Sequence, residues 1–189
     1  EKHTQMQKYS AALNKFYCDN KAFWQVDFDW NGFQWIDPND NNNSIVSFIR
    51  KAEDSNDFVI VISNFTPEVH SDYRIGVPAK GNYIEVFNSD GEDFGGSGVR
   101  NDGEIPSQDK PWHNREQSIT LTVPPLATIY LRLKRQDGSG ASFPEHDEQV
   151  EAKGFELSGE KSSASAAVSK KATVGKAAPK RNATKKTTS

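Results

Sequence analysis

The sequence predicts a mainly β protein, an antiparallel β-sandwich preceded by one helix and followed by a disordered basic tail. Three observations point there. Short apolar stretches such as "YRIGV", "YIEVF" and "SITLTV" recur with period-two alternation, the spacing of half-buried strands. Gly, Pro, Asn and Asp fill the gaps between them, which favours hairpins over alternating strand and helix units. From Ser158 onward the chain is Ser, Ala, Lys and Thr with almost no large apolar groups, too few to offset the entropy of ordering. A length of 189 residues with 34% hydrophobic and 11% aromatic content is enough for one core.

Taken in order, Met6, Tyr9, Leu13 and Phe16 recur at helical spacing and predict a helix over 2–18 with one apolar stripe. In "WQVDFDW", Trp24, Val26, Phe28 and Trp30 alternate with Gln25, Asp27 and Asp29, so an extended segment with one apolar and one acidic face is expected. The run from Asp37 to Asn43 is made of turn-favouring residues and predicts a capped turn before a strand. "SIVSFIRK" (44–51) and "FVIVISNF" (58–65) follow as strands, joined through "AEDSND" as a hairpin loop. The second is nearly continuous in apolar residues, as a strand buried on both faces would be.

Four more strands are expected at 73–77, 83–87, 118–123 and 127–133. Between the last two, Pro124 and Pro125 break the ladder and mark a corner. The stretch from Asn88 to Gln117 reads as an ordered, exposed loop. Disorder is expected from about residue 136 onward.

Charge divides the chain. Eight of its 23 Lys and Arg and none of its 26 Asp and Glu lie in 161–189, so a body of charge −11 carries a basic tail. That tail lacks interleaved aromatics and is expected to solubilise, so nucleic acid is not expected as a partner. No apolar run is long enough to span a membrane, and no membrane partner is expected. A single cysteine, Cys18, makes no internal disulfide and is expected to pack; a reducing cytoplasm is the expected setting. The sequence opens at Glu1 in the middle of helical pattern and is expected to be a piece of something longer.

Catalytic motifs are wanting. The glycine-rich "DFGGSGVRNDG" lacks the Gly-Lys-Ser/Thr of a phosphate loop, and Ser97 lacks the glycine spacing of a nucleophile elbow. "DPNDNNNSIVSF" has Asn42 and Phe48 where a calcium loop needs Gly and Glu. His3, His70, His113 and His146 show no ligand spacing, and His146 with Asp147 and Glu148 falls in the expected disorder. Asp27, Asp29 and Asp37 flank aromatics but define no acid–base pair. No catalytic residue, no metal and no cofactor is therefore expected. Trp30, Trp35 and Trp112 remain as candidates for stacking on sugar rings or packing against a neighbouring domain.

At this point the residues carry a family signature. "LNKFYCDNKAFWQVDFDWNGFQWIDPNDNNNSIVSFIRK", "DFVIVISNFTPEVHSDYRIGVPAKGNYIEVFNSD", "FGGSGVRN" and "PWHNREQSITLTVPPLATIYLRL" together resemble the end of the catalytic barrel and the C-terminal β-domain of bacterial 1,4-α-glucan (glycogen) branching enzymes, in the α-amylase superfamily. The resemblance covers about 11–134. It implies that 1–22 is the last helix of a (β/α)8 barrel, 23–43 an aromatic junction, 44–135 an α-amylase-type C-terminal β-sandwich and 136–189 a linker and tail. It implies that the helix stripe and the tryptophans are an interface awaiting that barrel, and that α-glucan is a partner of the whole enzyme. The family's reaction cleaves an α-1,4-glucan, holds the segment as a covalent glycosyl-enzyme and passes it to a C6 hydroxyl. Its nucleophile and acid/base belong to barrel strands that would precede Glu1, so none maps onto this sequence and the chain alone is expected to be inactive. The alternative is a stand-alone glucan-binding β-sandwich.

Overall fold

A computed structural model describes residues 2–134. The expected disorder from 136 onward, and the histidine at 146 with its acidic neighbours, lie outside them. A helix, α1 (Lys2–Asp19), leads into eight strands: β1 (Phe33–Asp40), β2 (Ile45–Lys51), β3 (Phe58–Asn64), β4 (His70–Val77), β5 (Asn82–Asn88), β6 (Glu104–Pro106), β7 (Gln117–Val123) and β8 (Thr128–Leu133). Six form a sheet in the order β1-β2-β3-β8-β5-β6, and β4 with β7 forms a second, two-stranded sheet. Every pairing is antiparallel.

The two sheets enclose one core. Ile45 and Ile49 of β2, Ile60 and Ile62 of β3, Ile129 and Leu131 of β8, and Ile75, Ile119, Leu121 and Val123 of the small sheet meet there. β3 is the strand buried on both faces, as its apolar run predicts: Ile60 and Ile62 point to this core, while Val59 and Val61 face a second cluster on the outer side. At the end of β3, the buried Asn64 amide donates to the carbonyls of Glu68 (2.8 Å) and Pro124 (2.9 Å). That clasp holds the expected proline corner, where the chain leaves the small sheet with β7 and enters the large one with β8.

The outer side is covered by α1, and here two expectations change. Phe16 is buried on the sheet, with ring centroids 5.0 Å from Phe87, 5.1 Å from Tyr130 and 5.5 Å from Phe23. Tyr9 meets Phe87 and Phe94 at 6.3 and 5.5 Å. The helix stripe is thus satisfied by this domain's own sheet and is not an open interface, and Met6, expected on the stripe, is 62% exposed. Phe87 reaches this face because a bulge between Glu85 and Phe87 reverses the alternation that puts Tyr83 in the inner core. Asn20 closes the helix: its amide donates to the Phe16 carbonyl (2.6 Å), and its side-chain oxygen accepts from Arg132 of β8 (2.9 Å). Cys18, expected to pack, is exposed.

The expected strand over 24–30 does not form. Short 3-10 turns occupy Lys21–Phe23 and Trp30–Gly32, with a turn between. An extended chain needs a ladder partner, and the open edge of β2 is taken by β1. The loop is held instead by Arg50, which donates to the Phe23 carbonyl (2.8 Å) and to Asp27 (2.6 Å). Gly32 lets the loop cross itself, since a Cβ there would lie 1.9 Å from the Val26 carbonyl oxygen. β1 also runs further than the turn-rich 37–43 suggests; as an edge strand it accommodates Pro38 and irregular register after Trp35 and Asp37. The turn that follows is capped as expected, with Asp40 accepting from the backbone and side chain of Asn43.

Candidate functional site

Two surfaces gather the candidate residues. The first is the β1–β2 end of the outer face, beyond the reach of α1. Phe33 stands edge-on to Trp35 at 4.9 Å and beside Phe48 at 5.2 Å, and Trp35 meets Phe48 at 5.8 Å. Trp35 remains 49% exposed, and in the preceding turn Phe28 and Trp30 are 104% and 91% exposed. The turn carrying Trp30 lies beside β1 and β2, the strands that carry Trp35 and Phe48. Isolated exposed apolar groups are ordinary; a cluster of Phe33, Trp35 and Phe48 next to a turn that leaves two more large rings almost wholly in solvent is not. Of the two carboxylates noted before Trp30, Asp27 pairs with Arg50 and Asp29 caps the Asn31 amide at 2.8 Å.

Trp112, the third candidate, is not part of that surface. It lies on the long loop before β7, which is pinned by paired backbone bonds between Trp112 and Arg115 at 3.0 Å. There it lines an open cleft of about 530 Å³ with Asp37, Asp40, Asp72, Lys110 and His113. Tyr73 donates to the Asp40 carboxylate at 2.7 Å. Burial favours protonation of Asp40, yet the hydrogen bonds from Asn43 and Tyr73 and the nearness of His113 outweigh it and hold the carboxyl below its ordinary 3.8. The Tyr73 phenol is raised well above 10.0 by burial and by that same carboxylate, so it stays a donor.

His113 links the cleft to the small sheet. Its Nδ1 accepts from the Gly76 amide at 3.4 Å, and its Nε2 lies 3.4 Å from the Asp37 carboxylate. Burial lowers the imidazole below 6.5; Asp37 and Asp40 pull it up, Arg115 pushes it down, and burial prevails. The folded chain therefore binds this proton later than the unfolded chain. Its contribution to stability is complete above pH 6.5 and is lost as the pH falls through the lower folded value. Urea midpoints recorded between about pH 8 and pH 5 should fall for the wild type on the acid side, and His113→Gln should remove that slope.

The glycine-rich loop, considered above as a phosphate cradle, binds a carboxylate of its own. Asp90, 7% exposed, accepts from the Ser97 amide (2.8 Å), the Ser97 hydroxyl (2.5 Å) and the Val99 amide (3.1 Å). Gly98, at φ +78°, donates its amide to the Asp90 carbonyl at 2.8 Å. The donors that would hold a phosphate are spent, and Ser97 is a structural donor.

Cleft residues such as Asp40, Asp72 and Tyr73 were not among the sequence candidates. They come from segments far apart in the chain, and only the unusual density of Asp and Asn around 37–43 hinted at a site. Among the described residues, no group of three or more His, Cys, Asp or Glu is placed to hold a metal ion, and no helix is long and apolar enough to cross a membrane.

Comparison with known proteins accounts for the sandwich. A family model described as the alpha amylase C-terminal all-beta domain matches residues 35–134. The 1,4-alpha-glucan branching enzyme GlgB of Halothermothrix orenii is 51% identical over 130 residues, 69% of this chain and 21% of that protein. The GlgB of Rubrobacter xylanophilus is 52% identical over 122 residues, 65% of this chain and 17% of that protein. That of a Nostoc species is 47% identical over 136 residues, 72% and 18% of the two. The chain spans about a fifth of the length of these relatives and is homologous to their C-terminal region, the all-β domain without the catalytic barrel. It belongs to the family of α-amylase C-terminal all-β domains.

Proposed function

We propose that these residues serve as the C-terminal domain of a cytoplasmic 1,4-α-glucan branching enzyme of glycogen biosynthesis, a transferase that moves α-1,4-glucan segments to α-1,6 branch points. The catalytic barrel is the partner, and the domain itself carries no catalytic residue. The carrying observation is the exposed aromatics: α1 packs on the outer face through Phe16, against Phe87 and Tyr130, while Phe28 and Trp30 in the turn region before β1, and Trp35 on it, are left to solvent. Burying large rings against a neighbouring domain contributes about 1.5–3 kcal/mol each. The relatives extend to about five times the matched length, so a body large enough to cover these rings exists in them. Trp30 and Trp35 are accordingly assigned to the contact with the barrel or with glucan held beside it.

The test is a chimera in which this chain replaces the matching 130-residue segment of the Halothermothrix orenii enzyme. Branching activity should survive the exchange, and Phe28→Asp with Trp30→Asp should reduce it about tenfold or more, the effect of losing one well-buried contact. An inactive chimera, or an active one indifferent to both substitutions, would refute the reading. The alternative, a stand-alone glucan-binding module, is favoured by one observation, the open Trp112 cleft on a different part of the surface.

A further inference from the structure

We infer that the cleft between β1, β4 and the loop carrying Trp112 is a binding subsite for an α-1,4-glucan chain, with Trp112 as the stacking platform and Asp72 and Lys110 as the hydroxyl partners. The inference rests on the branching-enzyme reading for its choice of sugar, and on the cleft alone for its existence.

The platform comes first. Trp112 is 43% exposed and lines the cleft, and its indole N–H has no hydrogen-bond partner among the described residues. A flat apolar face with a free donor at its edge suits a pyranose ring, which presents C–H bonds on its face and hydroxyls around its rim. The polar groups beside it fall into two sets. Asp40 is fixed by Tyr73 and Asn43, and Asp37 accepts from the Asn39 amide at 2.9 Å with His113 close by. The Asp72 carboxylate and the Lys110 ammonium, by contrast, have no side-chain partner among the described residues, although both residues line the cleft; Lys110 is held through its backbone, whose carbonyl accepts from the Ser118 hydroxyl at 2.7 Å. A rigid floor with an unengaged acceptor and donor at the rim is arranged for an external ligand.

The backbone supports the same conclusion. Asp72 (φ 55°) and His113 (φ 50°) adopt left-handed conformations, as does neighbouring Asn114 (φ 57°). Both flanking strands are irregular here, β1 after Trp35 and Asp37 and β4 between His70 and Tyr73. Strain and bulges from three segments thus converge on one opening, the pattern of places where side chains are re-aimed for binding. The volume of about 530 Å³ lies inside the usual range for ligand pockets. Charge of both signs at the rim disfavours a phosphate or an acidic peptide and suits a neutral polyhydroxyl ligand. Arg74, which also lines the cleft, is engaged by Gln108 at 2.8 Å and Ser118 at 2.9 Å.

The experiment is a titration of the 189-residue chain with maltoheptaose, followed by the four tryptophan indole resonances in two-dimensional NMR. The Trp112 indole signal and the amides of 70–74 should shift with millimolar affinity, and cellohexaose should shift neither. Trp112→Ala should abolish those shifts, Trp112→Tyr should retain them, and Asp72→Asn should weaken binding about tenfold. Amide spectra of the variants away from the cleft should match the wild type, because both side chains are exposed. No shift at the Trp112 indole at tens of millimolar maltoheptaose, or equal shifts with cellohexaose, would overturn the subsite. Shifts confined to Trp30 or Trp35 would also overturn it, while leaving the proposed function intact. An inactive chimera alongside a responding Trp112 would do the reverse.

Discussion

Phe16→Ala is expected to destabilise the domain by about 3–5 kcal/mol, the usual cost of emptying a fully buried aromatic site. Phe16 is the only residue of α1 that is buried outright, and it is the hub of a ring cluster joining the helix to Phe23, Phe87 and Tyr130. Phe16 is not a member of the inner core cluster, so the loss should fall on one layer. In the variant, the sandwich core of Ile60, Ile62, Ile119 and Ile129 should remain protected from amide exchange. The amides of 5–19 should exchange far faster, because an isolated helix of 18 residues without its partner face is marginal in water. Tyr130 gives an independent reading. Burial raises its phenol to about 12, with Tyr9 adding to the effect, so detaching the helix should bring its titration back toward 10.0. Denaturant unfolding, exchange and the alkaline titration of Tyr130 check the three parts. A variant as stable as the wild type, with an unmoved Tyr130, would mean that α1 is not docked by Phe16.

The strands were legible where alternation met turn chemistry. β3 announced itself by continuous apolar residues, and the β7–β8 corner by its two prolines. The helix was legible but its facing was not fully so: the docked side follows Tyr9, Ala12, Leu13 and Phe16, and Met6 lies off it because the sheet, not the sequence spacing, sets the line of contact. The segment 24–30 misled because alternation describes only which side chains could share a face; a strand also needs a neighbour with free hydrogen-bonding groups, and β1 had taken the edge. β6 was read as loop, since three residues are too few for any period to show. The cleft was least legible of all. Asp37, Asp72 and Trp112 approach through bulges and left-handed residues, which leave no signature in hydrophobic spacing.

Asp90→Ala is expected to cost about 2–3 kcal/mol and, more tellingly, to loosen the helix as well as the loop, since charge-assisted hydrogen bonds of this kind are worth about 1.5–3 kcal/mol. The carboxylate organises 91–99 by accepting from Ser97 and Val99. That loop carries Phe94, whose ring stacks at 5.8 Å from Phe87 and meets Tyr9 of α1 edge-on at 5.5 Å. The loop therefore forms one wall of the site in which the N-terminal half of the helix rests. Without Asp90 the freed amides can turn to water, so the penalty is the loss of order and not a set of stranded donors. Asp90→Asn should be milder, because it keeps an acceptor for the Ser97 amide. The coupling is measurable in a double-mutant cycle with Phe16→Ala. If loop and helix share one docked layer, the double variant should lose about 1 kcal/mol or more less than the sum of the single losses, within the range for residues of one cluster. Strict additivity would mean that the loop and the helix are held independently, with the Phe94–Tyr9 contact contributing nothing to either.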